Sequence, residues 1–145
     1  MQFLPRSSAI ASLSTIVLLL ASGCGASKVA QCNSIIEVAN SAAEEAQQLA
    51  IEGVSGDPQV MLKAAEAMEQ ASTNMQALEI EDESLQGFQT DFVEMYSKTS
   101  SASRDLVDAL EKEDREAAEA SLAELQEVNQ SEQEIVNGVN GYCQG

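Results

Sequence analysis

From Cys32 onward the apolar residues of this chain recur at alternating spacings of three and four. That is the period of a helix with one buried face. The first stripe runs Cys32, Ile35, Ala39, Ala42, Ala46, Leu49, and is widened by Ile36, Ala43 and Ala50. It stops at EGVSGDP, where Gly53 and Gly56 end a helix and Asp57-Pro58 supplies a cap and a first-turn proline for the next. The second stripe is Met61, Ala64, Met68, Ala71, Met75, Leu78, followed by the charged turn EIEDES. The third is Leu85, Phe88, Phe92, Met95, Thr99, Ala102, Leu106, Ala109, with Val107 and Leu110 beside it. It passes in frame through SKTSSAS, residues of poor helix propensity, so one continuous, bent helix is expected there rather than a break. After the turn EKEDRE, with Asp114 as N-cap, the fourth stripe reads Ala118, Leu122, Leu125, Val128, Ile135, Val139, Tyr142. It is flawed at Glu132, and Asn137-Gly138 and Asn140-Gly141 are expected to fray its end.

Four long amphipathic helices with short connections predict antiparallel neighbours. The expected fold is all-α, an antiparallel up-down-up-down four-helix bundle over residues 32–145. Alanine-rich seams imply close helix approach and a thin core.

The N-terminal part has a different pattern. Residues 1–23 hold one charge, Arg6, and the stretch AIASLSTIVLLLA, Ala9 to Ala21, has no polar face. At about a dozen residues it is short for a hydrocarbon layer of roughly 30 Å. A basic residue, a short apolar run and then small residues form the pattern of an export signal. All 24 acidic residues lie beyond residue 23 with six of the seven basic ones, so the remaining 122 residues carry a net charge of −18. Such a chain repels nucleic acid and anionic headgroups, and the acids read mainly as a solvated surface.

Ala21-Ser22-Gly23-Cys24 resembles the lipobox of bacterial lipoproteins. The resemblance implies cleavage before Cys24 and attachment of diacylglycerol to its sulfur, with fatty acyl chains such as palmitate as the anchor. Ala21 stands where leucine is most usual, and Leu20 is one place early. Residues 1–23 are then a signal peptide, 24–31 a lipidated tether and 32–145 the bundle. The family implies a domain on the periplasmic side of the cell envelope. Gly25 follows the lipidated position in place of the Asp that retains many lipoproteins at the inner membrane, and inner and outer membrane both remain open.

Three cysteines are present. If Cys24 is acylated, Cys32 and Cys143 remain, an even number, as exported proteins favour. Cys32 opens the first predicted helix and Cys143 closes the fourth, and an up-down-up-down path brings those ends together. A structural disulfide is therefore expected. No CxxC spacing supports a redox pair. The segments SKVAQCN and NGYCQG around an alanine-rich body resemble small uncharacterised lipoproteins of cyanobacteria, a likeness that supports the same pairing and implies no catalytic residue.

Candidate chemistry is sparse. There is no histidine, which removes the commonest metal ligand and the commonest acid/base near neutral pH. Met61, Met68 and Met75 recur every seven residues and read as core filling rather than a soft-metal site. EIEDES and EKEDRE lack the spacing of a calcium loop. No catalytic residue, cofactor site or metal site is assigned. An acidic tip of Glu52, Asp57, Glu111, Glu113 and Asp114, at the end far from the lipid, is the best sequence-level guess for a contact surface. The leading expectation is a non-catalytic, membrane-anchored adaptor or structural module. It would hold the membrane through lipid on Cys24, contact another envelope protein and bind no nucleic acid. The alternative is a carrier holding a small apolar ligand between its helices.

Overall fold

A computed structural model describes residues 26–52 and 57–145. It contains four helices, α1 (Lys28–Glu52), α2 (Pro58–Gln76), α3 (Glu83–Glu111) and α4 (Arg115–Gln144), and no strand among the described residues. Together they make a helical bundle whose main cluster buries Ile35, Met75, Leu85 and Phe92 almost completely. A smaller cluster of Leu106, Ala109 and Ala118 packs with Met61 and Leu125. The Met seam is core: Met68 and Met75 lie in the main cluster and Met61 beside the smaller one.

Local caps start the helices. Asp57 accepts from Gln59 N at 2.8 Å ahead of Pro58, and Asp114 accepts from Ala117 N at 3.1 Å. Asp82 does the same for α3, accepting from Leu85 N at 3.0 Å. These carboxylates satisfy helix N–H groups that have no partner within their own helix. Between α3 and α4 the chain turns in three residues. Asp114 N donates to Ala109 O and Glu113 N to Leu110 O, with Glu113 in the left-handed region at φ 56°. This is a Schellman close with glutamate in the position glycine usually takes.

Several boundaries and faces differ from the expected ones. α1 begins at Lys28, inside the stretch read as tether, because the Ser27 hydroxyl accepts from Ala30 N at 3.2 Å and caps the helix early. α3 runs unbroken through Ser97–Ser103. Its serines are small enough for close packing: Ser100 and Ser103 are buried, and Ser72 on α2 hydrogen-bonds Ser97 Oγ at 2.9 Å and Val93 O at 3.2 Å. α3 packs extensively on both α2 and α4. It therefore buries Tyr96, Ser100 and Ser103 in addition to its apolar stripe, with Val107 buried as expected beside that stripe but Leu110 48% exposed. α1 leans chiefly on α2, so Ala43 and Ala50 at the margin of its stripe stay exposed. In α4, Ser121 is buried where Leu122 was expected, and Leu122 is 47% exposed.

The C-terminal end of α4 does not fray but continues helical to Gln144. Gly138 explains part of this. A Cβ there would stand 2.7 Å from Phe88 Cε1, so the missing side chain admits the ring. Nothing lies within 4 Å of a Cβ on Gly141. Gly141→Ala should therefore stabilise by about 0.5–1 kcal/mol through helix propensity alone. Gly138→Ala should lose that gain to overpacking that costs about 1–3 kcal/mol. Urea denaturation of the two variants side by side tests this, and a Gly138→Ala variant as stabilised as Gly141→Ala would contradict it.

Candidate functional site

One end of the bundle gathers most of the chemistry-bearing groups. Cys32 and Cys143 are joined, with S–S 2.09 Å and Cα–Cα 5.9 Å. The two thiols paired by sequence reasoning thus form a disulfide, and the start of α1 meets the end of α4. Cys32 is buried and Cys143 half-buried. Beside the bridge, the Tyr142 hydroxyl donates to both carboxylate oxygens of Asp82, at 3.0 and 2.9 Å. The Lys28 ammonium sits 4.0 Å from the centre of the Tyr142 ring, a cation–π contact. Phe88 lies against the same ring, with centroids 6.2 Å apart.

Three glutamines satisfy the backbone of the connection between α2 and α3. Gln31 Oε1 accepts from Glu81 N at 2.6 Å and Asp82 N at 3.0 Å, while its Nε2 donates to Ala26 O. Gln89 Nε2 donates to Met75 O and Leu78 O, and Gln86 Nε2 to Ile80 O. Gln31 is 5% exposed. Sequence reasoning missed it, since a lone glutamine in a presumed tether carries no local signal of burial. The Tyr142–Asp82 pair was also missed, being sixty positions apart.

The Asp82 carboxyl is held below its ordinary value of 3.8, first by the Leu85 N–H it caps and then by the Tyr142 hydroxyl, with Lys28 adding a smaller attraction. A depressed carboxyl pKa stabilises the fold above the unfolded value, and that stabilisation disappears as pH falls through the folded one. Asp82→Asn should therefore flatten the acid limb of the stability profile. Urea midpoints from neutral pH down to pH ~2 test this; parallel profiles for wild type and variant would contradict it.

Two clefts flank α4. The larger, about 480 Å³, runs between α3 and α4 over Met95, Val128 and Ile135. Carboxylates from Asp91, Glu94, Glu124, Glu127 and Glu134 rim it. Lys98, the one lining cation among the described residues, is engaged by Glu94 at 2.9 Å, which raises the lysine pKa. The smaller cleft, about 230 Å³, lies between α1 and α4 with Phe92 and Tyr96 in its lining. Burial pushes the Tyr96 phenol well above its ordinary value of 10.0, and the Glu132 carboxylate adds to the shift, so the hydroxyl keeps its proton.

Cys24 lies outside the described residues, as does the side chain of Glu52. Asp57, Glu111, Glu113 and Asp114 are exposed. Asp57 and Asp114 spend their carboxylates as caps. Among the described residues no group of three or more His, Cys, Asp or Glu could hold a metal ion, and no helix is long and apolar enough to cross a membrane. The chain matches no family model, and neither curated proteins nor solved structures show a similar one.

Proposed function

We propose that the protein is a lipid-anchored, non-catalytic module of the bacterial envelope. It is an antiparallel up-down-up-down bundle held at the periplasmic side by acyl chains on Cys24. The observation that carries this reading is the sequence Ala21-Ser22-Gly23-Cys24 after the apolar run. The antiparallel path draws support from the Cys32–Cys143 bridge and from the cluster joining Met61, Leu106 and Ala118 near the opposite ends of their helices. Only Gly25, Ala26 and Ser27 separate Cys24 from α1. At about 3.5 Å per extended residue, that link reaches roughly 14 Å. The disulfide end of the bundle then rides close to the headgroups, and the connection between α3 and α4 faces away from the bilayer.

Two or three acyl chains hold a protein durably where one is marginal, at about 0.8 kcal/mol per buried methylene. Cys24→Ser should therefore move the protein from the membrane to the soluble fraction while leaving the Cys32–Cys143 bridge intact. Retention of the variant on membranes would refute lipid anchoring. The adaptor role predicts that the native anchored protein, captured from membranes, brings an envelope protein with it. Leu110 and Leu122, 48% and 47% exposed near the connection between α3 and α4, are among the exposed apolar groups available for such a contact.

The carrier reading has one observation in its favour, the cleft between α1 and α4. At about 230 Å³ it is smaller than the usual ligand pocket of roughly 300–1,000 Å³. It suits a compact molecule.

A further inference from the structure

We propose that the cleft between α1 and α4 binds a small amphiphilic cation, an alkyl- or arylalkylammonium. Its apolar body would lie against Ile35, Ile36, Phe92, Val136 and Val139, and its ammonium would donate to Tyr96 Oη and the Glu132 carboxylate. The inference develops the carrier reading and is independent of lipid anchoring.

Tyr96 carries the argument. Its side chain is enclosed by the core, with the residue only 3% exposed, and its ring stacks on Phe92 at 5.8 Å. Yet its hydroxyl has no hydrogen-bond partner among the described residues. Contrast Tyr142, whose hydroxyl is bound twice by Asp82. No described side-chain polar atom is both sealed from solvent and unpartnered. The Tyr96 hydroxyl therefore reaches solvent, and Tyr96 lines this cleft. A nearly buried phenol, held neutral at the wall of an apolar groove, leaves a donor and acceptor for an incoming group.

The surroundings select the charge and size of that group. Among the described residues no lysine or arginine lines the cleft, and Glu132 stands in its lining near the phenol. A fatty acid or other anion would meet a carboxylate and no counter-charge. A cation finds the carboxylate, the phenol oxygen and the aromatic side chains of Phe92 and Tyr96 in the lining. The amides of Asn40 and Asn140 add polar groups to the lining. On α1 the cleft extends from Ile35 to Ala43, roughly 12 Å at about 1.5 Å rise per residue. That length accommodates a one-ring molecule and is short for a peptide helix. The opening exists because α1 rests mainly on α2 and touches α4 little.

The probe is 2-phenylethylammonium chloride, titrated into the full chain through the millimolar range and followed by amide chemical shifts. 2-Phenylethanol and 3-phenylpropanoate serve as neutral and anionic counterparts of similar shape. The expected result is saturable shifts confined to residues of α1, α3 and α4 around the cleft, with the cation tightest and the anion weakest. Glu132→Gln should weaken the cation about threefold and leave the alcohol unchanged. Tyr96→Phe, which keeps the ring, should weaken it about fivefold. Equal binding of cation and alcohol, no effect of Glu132→Gln on the cation, or shifts spread over the acidic surface without saturation would each overturn the proposal.

Discussion

Reducing the Cys32–Cys143 bridge should destabilise the protein by about 4–5 kcal/mol in the chain-entropy picture, with about 2 kcal/mol as the lower end for a native disulfide. The two cysteines are separated by 111 positions, so the closed loop contains nearly all of the described chain. Opening it restores to the unfolded ensemble most of the freedom that a cross-link can remove. The effect on the folded side has the same direction. α1 is the least engaged helix, packed on α2 and only lightly on α3 and α4. The bridge is its covalent tie to α4, next to Gln31 and its bonds to Glu81 and Asp82. A double Cys32→Ala/Cys143→Ala variant, or wild type in dithiothreitol, should melt on the order of 10–20 °C lower. Hydrogen exchange should accelerate first in α1 and in the last turns of α4. A melting midpoint that ignores reductant would show that helix packing alone accounts for the stability.

Phe92→Ala should have an effect of similar size, about 3–5 kcal/mol. Phe92 is the largest of the fully buried side chains, in a core otherwise rich in alanine and methionine. It stacks on Tyr96 and lies in the cluster that also holds Ile35 of α1 and Met75 of α2. Small neighbours have short side chains and cannot reach into the space a phenyl ring leaves, which places the expected cost toward the upper part of that range. Phe92→Leu keeps most of the volume and should cost less than about 1.5 kcal/mol. Chemical denaturation of both variants checks the pair. Equal losses for alanine and leucine would mean that ring stacking, not volume, dominates.

Much of the helical framework was legible along the chain because its causes are local. Asp57-Pro58 and Asp114 cap the helices they precede, as the order of residues alone implies. The stripe through Ser97–Ser103 stays in frame, and the helix stays whole. The pairing of Cys32 with Cys143 followed from counting thiols and helices, and the bridge is present. Periodicity identifies the face that wants burial, since every turn of a helix repeats the same geometry.

Periodicity does not say how wide that face is or what covers it, and there the tertiary structure decided. α3 is covered from two sides, so Tyr96, Ser100 and Ser103 are buried beyond its apolar stripe, while α1 is covered mainly from one and leaves Ala43 and Ala50 in solvent. Gly138 read as a point of fraying until the Phe88 ring came against it from a segment fifty positions earlier. Gln31 read as tether until its carbonyl met two N–H groups of a distant turn. The cleft lined by the Tyr96 phenol exists because two helices do not fully close, a relation between elements that no single stretch of residues encodes. Local sequence sets each helix and its preferred face; which neighbour meets that face, and how closely, depends on the simultaneous packing of all four.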